Sequence, residues 1–361
     1  MTDPPKAPSR DAADNEPSRD SIPPPSNAPG PRTNGSAAYR RPDPLKTDFD
    51  RLATGAIIVT GICGRLGRRV ARVLHRERSV IGLDRRAFPD KPKDIEHWEI
   101  DIRKKKARDV FRNRKIAALV HLGVMHDPRD SGEDHHTWNL LGFQKLLEYV
   151  SLYDIPKVVL LSSANVYGPR PDNPQFLTED APLLAASAFS EIRDLVELDM
   201  LAQSFFWKHP NTETVILRPT HILGRVRNAP SNYMRLPIVP TLMGFDPMMQ
   251  AVHQDDVVEA LRLALRPGIR GIFNIAGPPP LSLTSAIQIL GRGMLPVPHP
   301  IARATLDRLW KMRLTSFPAP ELDFIRYVCM VDDSRARQTL GYGHRYGIEE
   351  TLKAVDEERW V

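Results

Sequence analysis

Residues 57–67, Ile57-Ile-Val-Thr-Gly-Ile-Cys-Gly-Arg-Leu-Gly67, limit what this chain can fold into more than any other stretch. An apolar run breaks into three glycines spaced three apart, and helix formers follow, with Val70, Val73 and Leu74 on one face. That order spells strand, tight turn, helix. It lets backbone N–H groups and a helix N-terminus approach a pyrophosphate. Gly61 allows the turn, Gly64 the approach of the phosphates, and Gly67 the contact of helix with strand. Cys63, Arg65 and Leu66 fill the turn between them. A second apolar run, Ser79-Val-Ile-Gly-Leu-Asp84, ends in an acid 23 residues after Gly61. A carboxylate there meets the ribose hydroxyls of a bound dinucleotide. The alternative, a ligand-free glycine turn, does not account for strand, turn, helix, strand and acid in this order.

Of 34 prolines, eleven fall in the first 44 residues, among Ser, Asp, Asn and Arg. Such a segment buries too little surface to offset its chain entropy, so residues 1–50 are expected to form a disordered tail. It has no apolar run of secretory type, and interspersed acids argue against an organellar transit peptide. No later window is long and apolar enough for a membrane span. The two cysteines, Cys63 and Cys329, do not suggest a disulfide, since one lies inside the glycine turn, and a cytoplasmic location is expected. Net charge is +6, and the densest basic cluster of the folded part is Arg103-Lys-Lys-Lys106. It reads as a solvated helix face, and no spacing supports nucleic acid. His135-His136 beside Asp134 reads as an exposed loop, and His253 before Asp255-Asp256 as a helix cap, so no metal is expected.

Further along, strands are predicted at Trp98–Ile102, Ile116–Gly123, Lys157–Ser162 and Thr214–Leu217. Helices are predicted at 137–152, 188–207 and 254–265. Near-continuously apolar strands alternating with helices call for an α/β fold with a parallel sheet covered on both faces, doubly wound and Rossmann-like. Ligands of such sheets bind at the carboxyl ends of the strands. Gly61, Asp84, Asp101, Ile102, Leu122, Gly123 and Ser162-Ser163 all fall there. Residues 295–328, with Leu306, Leu309, Trp310, Leu314 and Phe317, read as helix plus loop that forms core, a lipidic substrate wall or a dimer face, core being the preferred reading.

Read together, these residues resemble the extended short-chain dehydrogenase/reductase family of NAD-dependent epimerases and dehydratases. Thr60-Gly-Ile-Cys-Gly-Arg-Leu-Gly67 is similar to its TGxxGxxG turn, and Asp101-Ile102 stands where it uses an acid near the adenine. His121-Leu-Gly123, Asn139-Leu-Leu-Gly142 and Ser162-Ser-Ala-Asn-Val-Tyr-Gly-Pro169 follow in order. Leu217-Arg-Pro-Thr-His-Ile-Leu-Gly224, Val252–Val257, Phe273–Gly277 and Asp333–Tyr342 complete the series. The resemblance implies a dinucleotide-binding core over residues 51–220. Residues 221–361 would be a smaller, mainly substrate-binding region, with 252–276 returning to the core. It implies NAD as cofactor and a small-molecule substrate, a nucleotide sugar among the candidates, and leaves a homodimer open. Asp84 disfavours NADP by repelling a ribose 2′-phosphate, although Arg85 and Arg86 soften that preference.

The resemblance fails at the catalytic frame. The family moves hydride with a Tyr as general base and a Lys four positions later, in YxxxKxxxE; here the frame reads Phe189-Ser-Glu-Ile-Arg193-Asp-Leu-Val-Glu197. Arg193 can still hold a ribose but stays charged at neutral pH and so cannot serve as the proton carrier. Ser163 matches the substrate-polarising Ser, and Tyr167, near the expected pocket, is a candidate substitute hydroxyl, with packing as its ordinary role. A second YxxxK, Tyr153 to Lys157, falls at the opposite end of the sheet. His221 replaces the asparagine of an RxxN segment, and the arginine that grips a diphosphate ahead of the YIHVxD segment is missing. Arg225, Arg227 and Arg235 either are alternative cations for the substrate or simply solvate a loop, 230–240, expected over the cleft. Two readings follow: an epimerase/dehydratase-like or reductase-like enzyme with a substitute base, or a catalytically silent dinucleotide-binding regulator or scaffold. A third, association of the basic tail with nucleic acid or membrane, predicts steep salt dependence.

Overall fold

Strands that are apolar on both sides must be covered on both sides, and this sheet is. In this computed structural model, residues 52, 54–112, 114–124, 136–187, 190–226, 228–312 and 319–358 are described. The proline-rich stretch, Phe189 and Arg227 lie outside them. The core runs β1 (Ala56–Thr60), α1 (Arg65–Leu74), β2 (Val80–Asp84), β3 (Glu96–Glu99), α2 (Arg108–Arg112) and β4 (Ile116–His121). A π-type turn over Thr137–Leu141 leads into α3 (Gly142–Leu152), then β5 (Lys157–Leu161), α4 (Ser190–Lys208) and β6 (Glu213–Pro219).

Seven strands pair in parallel, in the order β11-β6-β5-β4-β1-β2-β3, where β11 is Gly271–Ile275. Alternate residues divide between two cores, as the two-residue period of a strand requires. Ile57, Val59, Val120, Val159 and Val215 meet Val70 and Leu74 of α1 on one face. Val257 and Leu261 of α6 (Gln254–Ala264) complete that layer. On the other face, Ile58, Leu119, Val158 and Ile216 meet Leu146 and Val150 of α3 and Leu198 and Phe205 of α4.

Residues 221–250 and 277 onward build a smaller region with its own core, including Leu223, Tyr233, Met234, Leu283 and Leu352. Its strands pair two by two. β7 (His221–Leu223) lies parallel to β10 (Ala251–His253), and β8 (Ile238–Leu242) parallel to β13 (Gly293–Val297). β9 (Met248–Met249) runs antiparallel to β12 (Leu281–Ser282). The helices here are α5 (Ala229–Met234), α7 (Leu283–Ile289), α8 (His299–Lys311) and α10 (Ile348–Lys353), whereas α9 (Ser334–Leu340) packs on the main core through Ala336 and Leu340.

Three expectations need correction. The third strand ends at Glu99, so Asp101 and Ile102 stand in the following turn. The stretch expected as a loop holds α5 and β8, because Asn228 caps α5 by accepting from Ser231 N at 2.9 Å. Helix α8 has no buried residue, and Leu306, Leu309 and Trp310 are only half-buried. Leu314 and Phe317 lie outside the described residues. Lys104, Lys105 and Lys106 are exposed, and His253 caps α6 through Asp255 N.

Candidate functional site

Gly61 has a φ of +71°, and a Cβ on it would stand 2.7 Å from Gly123 Cα, so β1 and β4 touch backbone to backbone where they end. A Cβ on Gly67 would stand 2.3 Å from Gly61 O and 2.9 Å from Ile62 Cα. Neither position admits a side chain without moving main chain. At Gly64 the Cβ position is less crowded, 3.1 Å from Gly61 O. Helix α1 has no acid in its first turn and no side-chain cap, so its positive end is not neutralised locally. Shape and polarity there fit a pyrophosphate.

The acid at the end of β2 is built into the turn. Asp84 is buried, and its Oδ2 accepts from Cys63 N at 3.0 Å. Its Oδ1 accepts from Arg86 N and Nε, both at 3.0 Å, and Oδ2 from Arg86 Nη2 at 3.1 Å. Burial alone would raise its pKa; the Arg86 guanidinium and the two backbone amides outweigh burial and hold it below the ordinary value. Arg86 is therefore the cation that screens Asp84, and Arg85 is turned elsewhere, 5.2 Å from the Trp138 ring. Arg103 lies 5.4 Å from the same ring and binds the Asp101 carboxylate at 2.7 Å. Trp138 Nε1 donates to Gly123 O at 2.9 Å. Gly61, Gly64, Gly67, Asp84, Gly123 and, through Arg103, Asp101 thus converge at the carboxyl ends of the strands. Cys63 is buried, its Sγ donates to Arg86 O at 3.2 Å, and burial pushes its thiol up to about 11, which leaves no thiolate for redox work.

At the catalytic end, Ser163 is half-buried and caps a 3-10 turn over Ala164–Tyr167, its Oγ accepting from Asn165 N at 3.1 Å. Tyr167 is corrected from substitute hydroxyl to core residue. It is 1% exposed, its hydroxyl donates to Asn274 Oδ1 at 2.7 Å and accepts from Arg218 Nη1 at 2.8 Å, and burial raises its pKa to about 12. Arg218 is also held by Asp199, at 2.6 and 2.9 Å, and Asp199 accepts from Ser162 Oγ at 2.6 Å. Arg193 is exposed on α4. The residue after it, Asp194, is buried and accepts from His136 Nδ1 at 3.0 Å. The reading of His136 as part of an unattached loop missed that pair. The second YxxxK is separated as expected: Lys157 is buried at the start of β5, 2.8 Å from Glu213 Oε2.

Beside Asn165 lies a cavity open to solvent, with His221, Tyr233, Met249, Leu283 and Phe324 among its walls. His221 belongs to it; Arg225 and Arg235 are not among its walls. Arg225 binds Glu357 at 3.1 Å, both exposed. Arg235 ties the end of α5 to Val355 O, Gly224 O and Val226 O at 2.8, 2.7 and 3.0 Å.

A family model described as the NAD dependent epimerase/dehydratase family matches residues 57–276. The chain belongs to that family. An uncharacterized protein of Mycobacterium tuberculosis is 28% identical over 314 residues, covering 83% of this chain and 82% of its own. A UDP-glucuronate 4-epimerase of Thermodesulfobacterium geofontis is 24% identical, covering 83% and 94%. The UDP-glucose 4-epimerase of Thermotoga maritima, solved with UDP-glucose, aligns with a TM-score of 0.66 and 18% identity over 84% of this chain and 98% of that one. MoeE5, solved with UDP-glucuronic acid and NAD, aligns at 0.65 and 20% over 84% and 99%. At these identities the likeness to solved structures establishes the shared fold. Among the described residues no helix is long and apolar enough to cross a membrane.

Proposed function

We propose that this member of the family binds NAD along the glycine turn and exchanges hydride between its nicotinamide and a carbinol or carbonyl substrate held beside Asn165 and His221. The observation that carries the reading is the turn itself. Gly61 and Gly67 leave no room for a Cβ, and Asp84 is locked to the Cys63 amide within the turn. The residues that would hold the cofactor are Gly61, Gly64, Gly67, Asp84, Asp101 and Gly123, with Arg193 toward the nicotinamide ribose. When bound, nicotinamide supplies the hydride acceptor or donor. Ser163 Oγ is pinned by the Asn165 amide as an acceptor, which leaves its own hydrogen to donate to a substrate oxygen. Tyr167 is too deep to exchange a proton with a substrate, and the frame position 189 is a phenylalanine.

Calorimetry with NAD and with NADP tests the binding half; no heat from either sinks it. Nicotinamide absorbance across a panel of alcohols and ketones tests turnover. The second reading, a silent NAD binder, is favoured by the phenylalanine at 189. Cofactor binding without any absorbance change, followed by turnover in the double variant Phe189→Tyr, Arg193→Lys, would select it.

A further inference from the structure

Resting on the hydride-transfer reading above, we propose that the cavity between β7, α5 and the segment 319–325 takes an uncharged, mainly apolar alcohol or ketone rather than a nucleotide-diphosphate sugar. A diphosphate out of bulk water needs cations or several aimed N–H donors; without them its desolvation is not offset. Among the described residues, no lysine or arginine lines this cavity. Among the described residues, three of the cations nearby in sequence are held by other groups, and a fourth, Arg326, has a buried Nε without a hydrogen-bond partner. Arg218 is buried between Asp199 and Tyr167, and Arg235 is spread over backbone carbonyls. Arg225 faces out to Glu357. Arg326, adjoining the lining residues Phe324 and Ile325, lies 5.0 Å from the Phe245 ring and 4.8 Å from the Tyr327 ring. The one acidic side chain of the lining, Glu321, adds repulsion.

The walls offer what an apolar body needs. Met234, Met249, Leu283 and Phe324 are among its apolar walls. Its polar groups include Asn165, two residues beyond Ser163, and His221, which stands edge-on to Phe324 at 6.0 Å. His221 Nδ1 is buried and makes no hydrogen bond among the described residues. Burial lowers the His221 pKa to about 4, so the ring is neutral at pH 7 and offers one donor and one acceptor, matching a hydroxyl or carbonyl. A neutral imidazole gives no cation to a phosphate.

The test titrates the full chain, with and without NADH, against α-tetralone and against UDP-glucose by calorimetry, while His221 ring and Met249 methyl signals are followed by NMR. The ketone should saturate, move both signals, and bind at least about tenfold more tightly than UDP-glucose. Met249→Lys should reverse that order. Met249→Ala, a milder change, should weaken the ketone without helping UDP-glucose. UDP-glucose binding as tightly as the ketone, or neither ligand saturating, overturns the proposal. If the ketone saturates while NAD and NADH give no heat, the hydride-transfer reading fails and the pocket assignment survives. If NAD binds and UDP-glucose wins, the reverse holds.

Discussion

Single side chains at the cofactor turn have consequences that can be measured separately. Gly67→Ala drives a methyl into main chain and should cost about 2–4 kcal/mol in urea unfolding, a value expected of backbone strain with overpacking. A loss under half a kcal/mol would mean the turn is looser than described. Asp84, held below its ordinary pKa, binds fewer protons folded than unfolded, so its contribution is present above the unfolded value. It is lost as pH falls through the lower folded one. Asp84→Asn should therefore destabilise at neutral pH, and the gap to wild type should close below pH of about 3.9. Arg86→Ala removes the guanidinium that screens this carboxylate. It should widen the preference for NAD over NADP by roughly tenfold, read from the ratio of dissociation constants.

At the scale of elements, the start of β5 is fastened to its neighbours by one buried ion. Lys157 Nζ meets Glu213 on β6 and donates to Ala264 O at 2.9 Å, Ile269 O at 3.2 Å and Arg266 O at the end of α6. Lys157→Met leaves Glu213 buried without its cation and should cost about 3–5 kcal/mol; adding Glu213→Gln should recover part of that loss. These elements were legible in sequence because an apolar strand covered on both faces, a glycine turn and an acid at a strand end are local patterns. Partners distant in the chain were not. His136 reads as loop until the fold brings it to Asp194, and Arg225 and Arg235 read as substrate cations until carbonyls and Glu357 are seen to take them. Tyr167 lay in the right segment, but strand spacing says nothing about Arg218 and Asn274 closing over its hydroxyl. The cavity was legible only in part, through His221 and the segment 230–240, since its walls come from six separate stretches.

Across the molecule, the first part of the smaller region, β7 to β9, is inserted between two adjacent strands of the main sheet: the chain leaves β6 at Pro219 and re-enters at β11 beside it. The described residues fall within one compact unit, so a single calorimetric transition is expected, and two resolved ones would show the regions melting apart. NAD at a hundred times its dissociation constant should add about 2.7 kcal/mol to that transition. The same threading bears on the protein's birth. All seven residues of β6 are buried, yet its outer partner is not translated until some fifty residues later. A ribosome that has just released Pro219 therefore carries an apolar ribbon with one row of amides and carbonyls unmatched, an invitation to aggregate that lasts until Ile275 emerges.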